Sequence, residues 1–230
     1  MVRGKPFRRL ANPVLRLLFN LLFKLEVTGT ENVPTQGPFM AMMNHIYFID
    51  PVLVGVLAPR YIVIMSKIEN YGNPFLALAM NLYGTFPVHR GELDMTAIRT
   101  SLEVLEQGEG LLMAPEGTRS RDHKLHEGRD GMAWLALRSN TPIVPVAHAG
   151  QERLGHYLKR LRRAPVRVVF GRPFCLKPAE SAPRRQQLGH MTREAMYRLA
   201  ELLPEEYRGA YADVQNATSA FLEPYAPVHG

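Results

Sequence analysis

At 230 residues, 46% of them apolar and 21% charged, the chain is long enough for one large core and too apolar to be disordered. Its 28 Lys and Arg against 21 Asp and Glu give a formal charge of +7, so an anionic partner is expected: nucleic acid, an anionic lipid surface or a phosphorylated small substrate. The single cysteine, Cys175, excludes an intramolecular disulfide or a multi-thiolate metal site and makes a reducing, cytosol-facing location the default.

In chain order, the first element expected is a basic amphipathic helix, assigned to residues 1–24. Asn12 and Pro13 read as its N-cap and first helical residue. Arg16, Asn20 and Lys24 form a narrow polar stripe, and Leu15, Leu18, Phe19, Leu22, Phe23 and Leu25 cover the remainder. The run is too short to span a bilayer, which needs about 20 mainly apolar residues, and it lacks a small-residue cleavage site. Two readings remain: a helix lying in the membrane interface with Arg8, Arg9 and Lys24 reaching the headgroups, or a helix packed on the core.

Residues 25–210 read as one α/β domain. Strands are expected near 25–28, 38–43, 61–65, 85–88, 111–114, 143–148 and 166–170, giving a mixed, largely parallel sheet of about seven strands flanked by helices. Helices are expected at 51–57, 73–82, 94–107, 129–139 and 186–203, with Asp94 capping the third. Trp134, among Ala133, Leu135 and Leu137, reads as core. The methionines, Met40, Met42 and Met43 among them, read as adaptable core filler. Residues 211–230 are expected as a surface tail.

Reactive side chains follow several of these strands. His45 follows FMAMM, Arg90 follows TFPV, and Glu116, Gly117, Thr118 and Arg119 follow LLMA. Ligands of open α/β sheets bind outside the C-terminal strand ends, so parallel strands would bring these residues together. Asp50, five residues after His45, can hold one imidazole nitrogen and leave the other free to take a proton from a hydroxyl. Asp50-Pro51 is equally an ordinary helix start. The turn Pro115–Ser120 combines a glycine, hydroxyls and an arginine fork suited to phosphate. His123 and His126 lack the neighbouring ligands a metal site needs. The basic clusters lack any nucleic-acid motif, so nucleic acid is not expected as a partner.

Taken together, NHIYFID, GTFPVHR, PEGTRS and TPIVPVA resemble, in order and spacing, the four blocks of the PlsC-like 1-acylglycerol-3-phosphate O-acyltransferases, over roughly residues 25–205. The resemblance implies a membrane-associated enzyme of phospholipid biosynthesis on the cytoplasmic face, peripheral or monotopic, that moves a fatty acyl group from acyl-CoA or acyl carrier protein to a lysophospholipid hydroxyl. The acceptor would be 1-acyl-sn-glycerol-3-phosphate or a different lysolipid, with no metal and no cofactor. It further implies that His45 is the general base and Asp50 its orienting partner. Arg90, Glu116, Gly117, Thr118 and Arg119 would bind the acceptor's phosphate and glycerol, Lys67 would assist, and Pro145 would shape the acyl or thioester site. A non-catalytic lipid-surface protein on the same fold is the alternative. The sequence departs from the family at Tyr47, where serine is common, at His89, where an acid or amide is frequent, and at Gly128-Arg129, where a Phe-Lys pair is usual.

Overall fold

The computed structural model describes residues 4–91, 94–179 and 183–225. A first helix, α1 (Lys5–Leu22), runs directly into strand β1 (Phe23–Thr28). β2 (Phe39–Met43), α2 (Asp50–Leu57), β3 (Ile62–Lys67), α3 (Pro74–Tyr83), β4 (Thr85–Val88), α4 (Met95–Glu106) and β5 (Gly110–Met113) follow in strict alternation. Then come α5 (Gly131–Ser139), β6 (Ile143–Ala149), a short α6 (Leu154–Leu158), β7 (Ala164–Phe170), β8 (Phe174–Leu176), α7 (Arg184–Ala200) and β9 (Leu222–Pro224).

The strands form one mixed sheet of nine in the order β1-β7-β6-β2-β5-β3-β4, with β8 on β6 and β9 on β8. β2 to β6 are mutually parallel, while β7 runs antiparallel to β6 and carries β1 parallel to itself. β2 lies in the middle with all five residues buried, as an unbroken apolar strand covered on both faces must. Its side chains alternate between two cores. Met40 and Met42 pack with residues of α4, α5 and α7, whereas Phe39, Ala41 and Met43 pack with α1 and α2.

The expected seven strands and the largely parallel arrangement are present, and the two short strands β8 and β9 are additional. Within residues 211–230, expected as a surface tail, β9 joins the sheet and Tyr211 is buried in the core. Residues 226–230 of that tail lie outside the described residues, as do Met1–Arg3 of the expected first helix.

α1 begins earlier than the Asn12-Pro13 signal predicts. Pro6 takes the first turn and Pro13 sits inside the helix, exposed, so the carbonyl its ring leaves unbonded, that of the exposed Arg9, faces solvent. Asn12 accepts a hydrogen bond from Tyr83 Oη at 3.0 Å instead of capping. Arg8, expected to reach lipid headgroups, is 3% exposed. Its guanidinium lies 4.0 Å from the Tyr83 ring centre and 4.5 Å from that of Tyr61, and its Nε donates to the Tyr83 carbonyl at 2.6 Å. Two aromatic faces substitute for water around this cation. Lys24 belongs to β1, not to the helix.

Candidate active site

The parallel strands β2, β4 and β5 all end on one edge of the sheet, and the segments that follow them converge there. A cavity of about 230 Å³ opens at this edge, and His45, Arg90, Gly117 and Arg129 are among the residues lining it. It shares Met65, Val88, Met113 and Gly131 with a neighbouring apolar groove of about 790 Å³ that runs on past Ile98, Trp134 and Leu188. Trp134 therefore lies on this groove, 39% exposed, rather than in the core.

His45 and Asp50 meet across the turn between β2 and α2. Asp50 Oδ2 lies 3.0 Å from His45 Nδ1 and accepts the backbone N–H of Ile46 and Tyr47, each at 2.7 Å. Oδ1 accepts from Gln151 Nε2 at 3.0 Å. Burial works against the Asp50 charge, but the positive charge His148 and His45 can carry, with the N–H donors around it, holds the carboxyl below its ordinary range. An ionised carboxylate only accepts, so His45 Nδ1 carries a hydrogen; in the neutral ring that leaves the lone pair on Nε2. The side chain is 11% exposed, enough for one small group to reach it from the cavity.

Behind this pair stands a second, wholly buried one. Gln151 Nε2 also approaches His148 Nδ1 at 2.7 Å, so both hydrogens of the amide are spent, one on Asp50 and one on His148. Burial lowers the His148 pKa, with Asp50 opposing, and the neutral ring that accepts at Nδ1 carries its hydrogen on Nε2. That Nε2 and Gln151 Oε1 have no hydrogen-bond partner among the described residues. Asn44 ties the two strands beneath, donating to the His148 carbonyl at 2.9 Å and accepting from its N–H at 3.0 Å.

The loop after β5 clamps the histidine from the other side. Glu116 accepts the backbone N–H of His45 at 3.1 Å and that of His126 at 3.0 Å, and Ser120 N donates to the His45 carbonyl at 2.8 Å. Burial raises the Glu116 pKa to about 6 against the pull of these donors. Its side chain, expected to meet substrate, is occupied by the backbone N–H groups of His45 and His126. Gly117 adopts a left-handed conformation at φ +72°, and a Cβ there would meet Arg129 Nε at 3.0 Å.

Arg90 and Arg129 face the cavity together. Partial burial lowers the Arg90 pKa; Glu69 opposes this and the Arg129 charge adds to it. Neither guanidinium is in an ion pair among the described residues. Two guanidinium groups lining one cavity, neither in an ion pair among the described residues, have the chemistry to take an anion. Sequence reasoning does not reach Arg129 or Gln151 as site residues; the one signal at Arg129 is its departure from the usual Phe-Lys pair. Lys67, Thr118, Arg119 and Pro145 do not line the cavity. Lys67 ends β3 half-buried, Thr118 and Arg119 are exposed on the turn, and Pro145 is buried in β6, its carbonyl accepting from Gly171 N at 2.8 Å. Among the described residues no group of three or more His, Cys, Asp or Glu is placed to hold a metal ion.

The model of the family described as Acyltransferase matches residues 24–149, which include every cavity residue named above. A 1-acyl-sn-glycerol-3-phosphate acyltransferase of Bacillus subtilis is 26% identical over 190 residues, covering 82% of this chain and 92% of its own length. A chloroplastic protein of the same description from Brassica napus is 26% identical over 75% of this chain, which spans 55% of that relative. The crystal structure of the 1-acyl-sn-glycerophosphate (LPA) acyltransferase PlsC from Thermotoga maritima has a TM-score of 0.58 at 22% identity, over 81% of this chain and 76% of that one, a likeness of fold.

Proposed function

Because the chain belongs to the Acyltransferase family, we propose that it transfers a fatty acyl group from acyl-CoA or acyl-acyl carrier protein to the free hydroxyl of 1-acyl-sn-glycerol-3-phosphate, giving phosphatidic acid, with His45 as general base and Asp50 as its orienting partner. The observation that carries this reading is the 3.0 Å contact between His45 Nδ1 and Asp50 in a cavity shared with Arg90 and Arg129.

The chemistry follows from these groups. The guanidinium pair takes the acceptor's phosphate and fixes its hydroxyl near His45 Nε2. The imidazole removes the hydroxyl proton as the oxygen attacks the thioester carbonyl carbon. The resulting imidazolium is stabilised by Asp50, as in a serine-hydrolase triad without the serine. Collapse of the tetrahedral adduct breaks the carbon–sulfur bond, and the proton held on Nε2 passes to the departing thiolate. No acyl-enzyme forms. The apolar groove continuous with the cavity suits the acyl chain, whose methylenes gain about 0.8 kcal/mol each on leaving water.

The same reading places the protein on the cytoplasmic face of a phospholipid membrane. Phe7, Leu10, Val14, Leu17, Leu18 and Leu21 recur at helical spacing on α1 and are all exposed, with Arg9 and Arg16 beside them. Among the described residues no helix is long and apolar enough to cross a membrane. The deciding experiment offers purified protein a panel of lysolipids with acyl-CoA and acyl carrier protein as donors and identifies the products by mass spectrometry. Phosphatidic acid from lysophosphatidic acid is the expected product. Its absence while another lysolipid is acylated would reassign the acceptor, and no acyl transfer at all would overturn the reading.

A further inference from the structure

Helix α3 has an unusual surface for an α/β connection. Its sequence, PFLALAMNLY, contains no charged residue, and amphipathic periodicity would bury about half of such a helix. Only Tyr83 is buried. Phe75 is 83% exposed, Leu78 is 59% exposed, and Leu76 and Leu82 are exposed as well. A monomeric domain in water rarely leaves so continuous an apolar face uncovered.

Its placement relates it to both the site and α1. β3 and β4 are parallel, so α3 starts at the sheet edge where Lys67 and Arg90 sit, placing Phe75 at the cavity end of the molecule. Its other end is fastened to α1 by the Arg8 guanidinium on the Tyr83 ring and by Tyr83 Oη donating to Asn12. Arg8 is thus the pin between two helices that both present leucines outward. Neither helix carries a carboxylate, while α1 contributes the exposed cations Arg9 and Arg16; Lys5 at its start is paired with Glu109. An apolar surface on two helices that carry cations but no carboxylate is complementary to an anionic bilayer, where inserted leucines gain burial and Arg9 and Arg16 meet headgroups.

We propose that α3 is a second membrane-docking element, which inserts with the exposed face of α1 into an anionic phospholipid surface and holds the mouth of the cavity at headgroup level. The proposal rests on the membrane part of the preceding reading but not on the identity of the reaction. α3 delivers the Arg90 edge to the lipid, so an acceptor can reach the guanidinium pair without leaving the interface.

Sedimentation with phosphatidylglycerol–phosphatidylcholine vesicles tests it directly. Phe75→Glu combined with Leu78→Glu changes two exposed positions, so the thermal unfolding midpoint should stay within a few degrees of the parent. Vesicle affinity should fall at least about tenfold, since interfacial binding scales with inserted apolar area. Phe75→Trp in a Trp134→Phe background should show a blue-shifted emission on vesicles and quenching by brominated acyl chains. Vesicle binding unchanged by the double substitution, or an indole emission from the Phe75→Trp variant that is indifferent to vesicles, would overturn the proposal. So would a dimer in solution that the double substitution dissolves while vesicle binding persists. These readouts need no turnover, so a protein inert toward every lysolipid would still report on α3.

Discussion

The two halves of the site are built on opposite principles. The His45–Asp50 pair is over-determined: Asp50 holds four N–H groups from two segments, and the backbone of His45 is fixed at both its N–H and its carbonyl by the loop after β5. Arg90 and Arg129 line the same cavity with no ion pair among the described residues, and the Arg129 charge works against that of Arg90, with Glu69 opposing it. The first half is complete before substrate arrives. On the proposed reading, the second is completed by the acceptor's phosphate. A group that must transfer a proton has to be held in one geometry, because misplacement by about 1 Å can cost roughly 10²-fold in rate. A pair that must capture a charged ligand gains from being left short of a counter-ion, so that binding relieves a repulsion already present.

This contrast predicts separable kinetic defects. His45→Ala should lower kcat by about 10²–10⁴-fold while the acceptor KM changes little, because the anion site is untouched. Steady-state kinetics with lysophosphatidic acid checks it, and substantial turnover in that variant would remove His45 from the mechanism. Arg129→Ala should do the reverse. Losing one charge-assisted contact to phosphate, worth about 1.5–3 kcal/mol, should raise the acceptor KM roughly 10- to 100-fold with a smaller change in kcat. Arg119→Ala, on the exposed turn, should have the smaller effect of the two. The opposite ranking would move the phosphate site from the cavity to the turn.

How much of this is legible in sequence follows the same division. The strands and their connecting helices are readable because β2 and its neighbours are uninterrupted apolar runs, and the convergence of His45, Arg90 and Glu116 follows once the strands are parallel. β8 and β9 escape such a reading because three-residue strands at a sheet edge carry no periodic signal. Arg8 misleads because a charge on an amphipathic helix reads as exposed, and only the tertiary position of Tyr61 and Tyr83, far along the chain, shows otherwise. Glu116 reads as a substrate ligand, since nothing local reveals that the backbone of His45, 71 residues earlier, claims its carboxylate. Gln151 follows β6, whose pairing with β2 in space brings it under Asp50. Sequence spacing reports contacts within a loop; it is silent on contacts between loops.

Glu116 also gives the clamp a pH signature. Its carboxyl is raised in the fold from an ordinary 4.5 to about 6. The folded protein therefore binds that proton more tightly than the unfolded chain. The stability it contributes is fully present below pH 4.5 and is lost as the pH rises through about 6, an amount of about 2 kcal/mol. Asp94 and Asp122, each held at about 2, titrate well below this window. Urea unfolding between pH 4 and 7 should show the slope, and Glu116→Gln should flatten it. A slope unchanged in that variant would assign it to another group.

The smallest expected effect probes the deepest layer of the over-determined half. Gln151 touches neither the cavity nor the imidazole of His45; it acts through Asp50, to which it gives one N–H, and is itself steadied by His148. Gln151→Leu keeps the volume and removes that donor, so the Asp50 carboxylate can turn about its remaining contacts and its pKa should rise. kcat should fall about tenfold, the scale on which outer-shell partners act, with the acceptor KM unchanged. A merely structural role would lower stability and leave the pH profile in place, whereas a positioning role shifts the acid limb of kcat upward as Asp50 protonates more readily. Gln151→Glu sharpens the test, since a second carboxylate beside Asp50 Oδ1 repels rather than donates and should shift that limb further in the same direction. An acid limb that stays where it is in both variants would mean that the amide only fills space, and that the three remaining N–H groups suffice to hold Asp50.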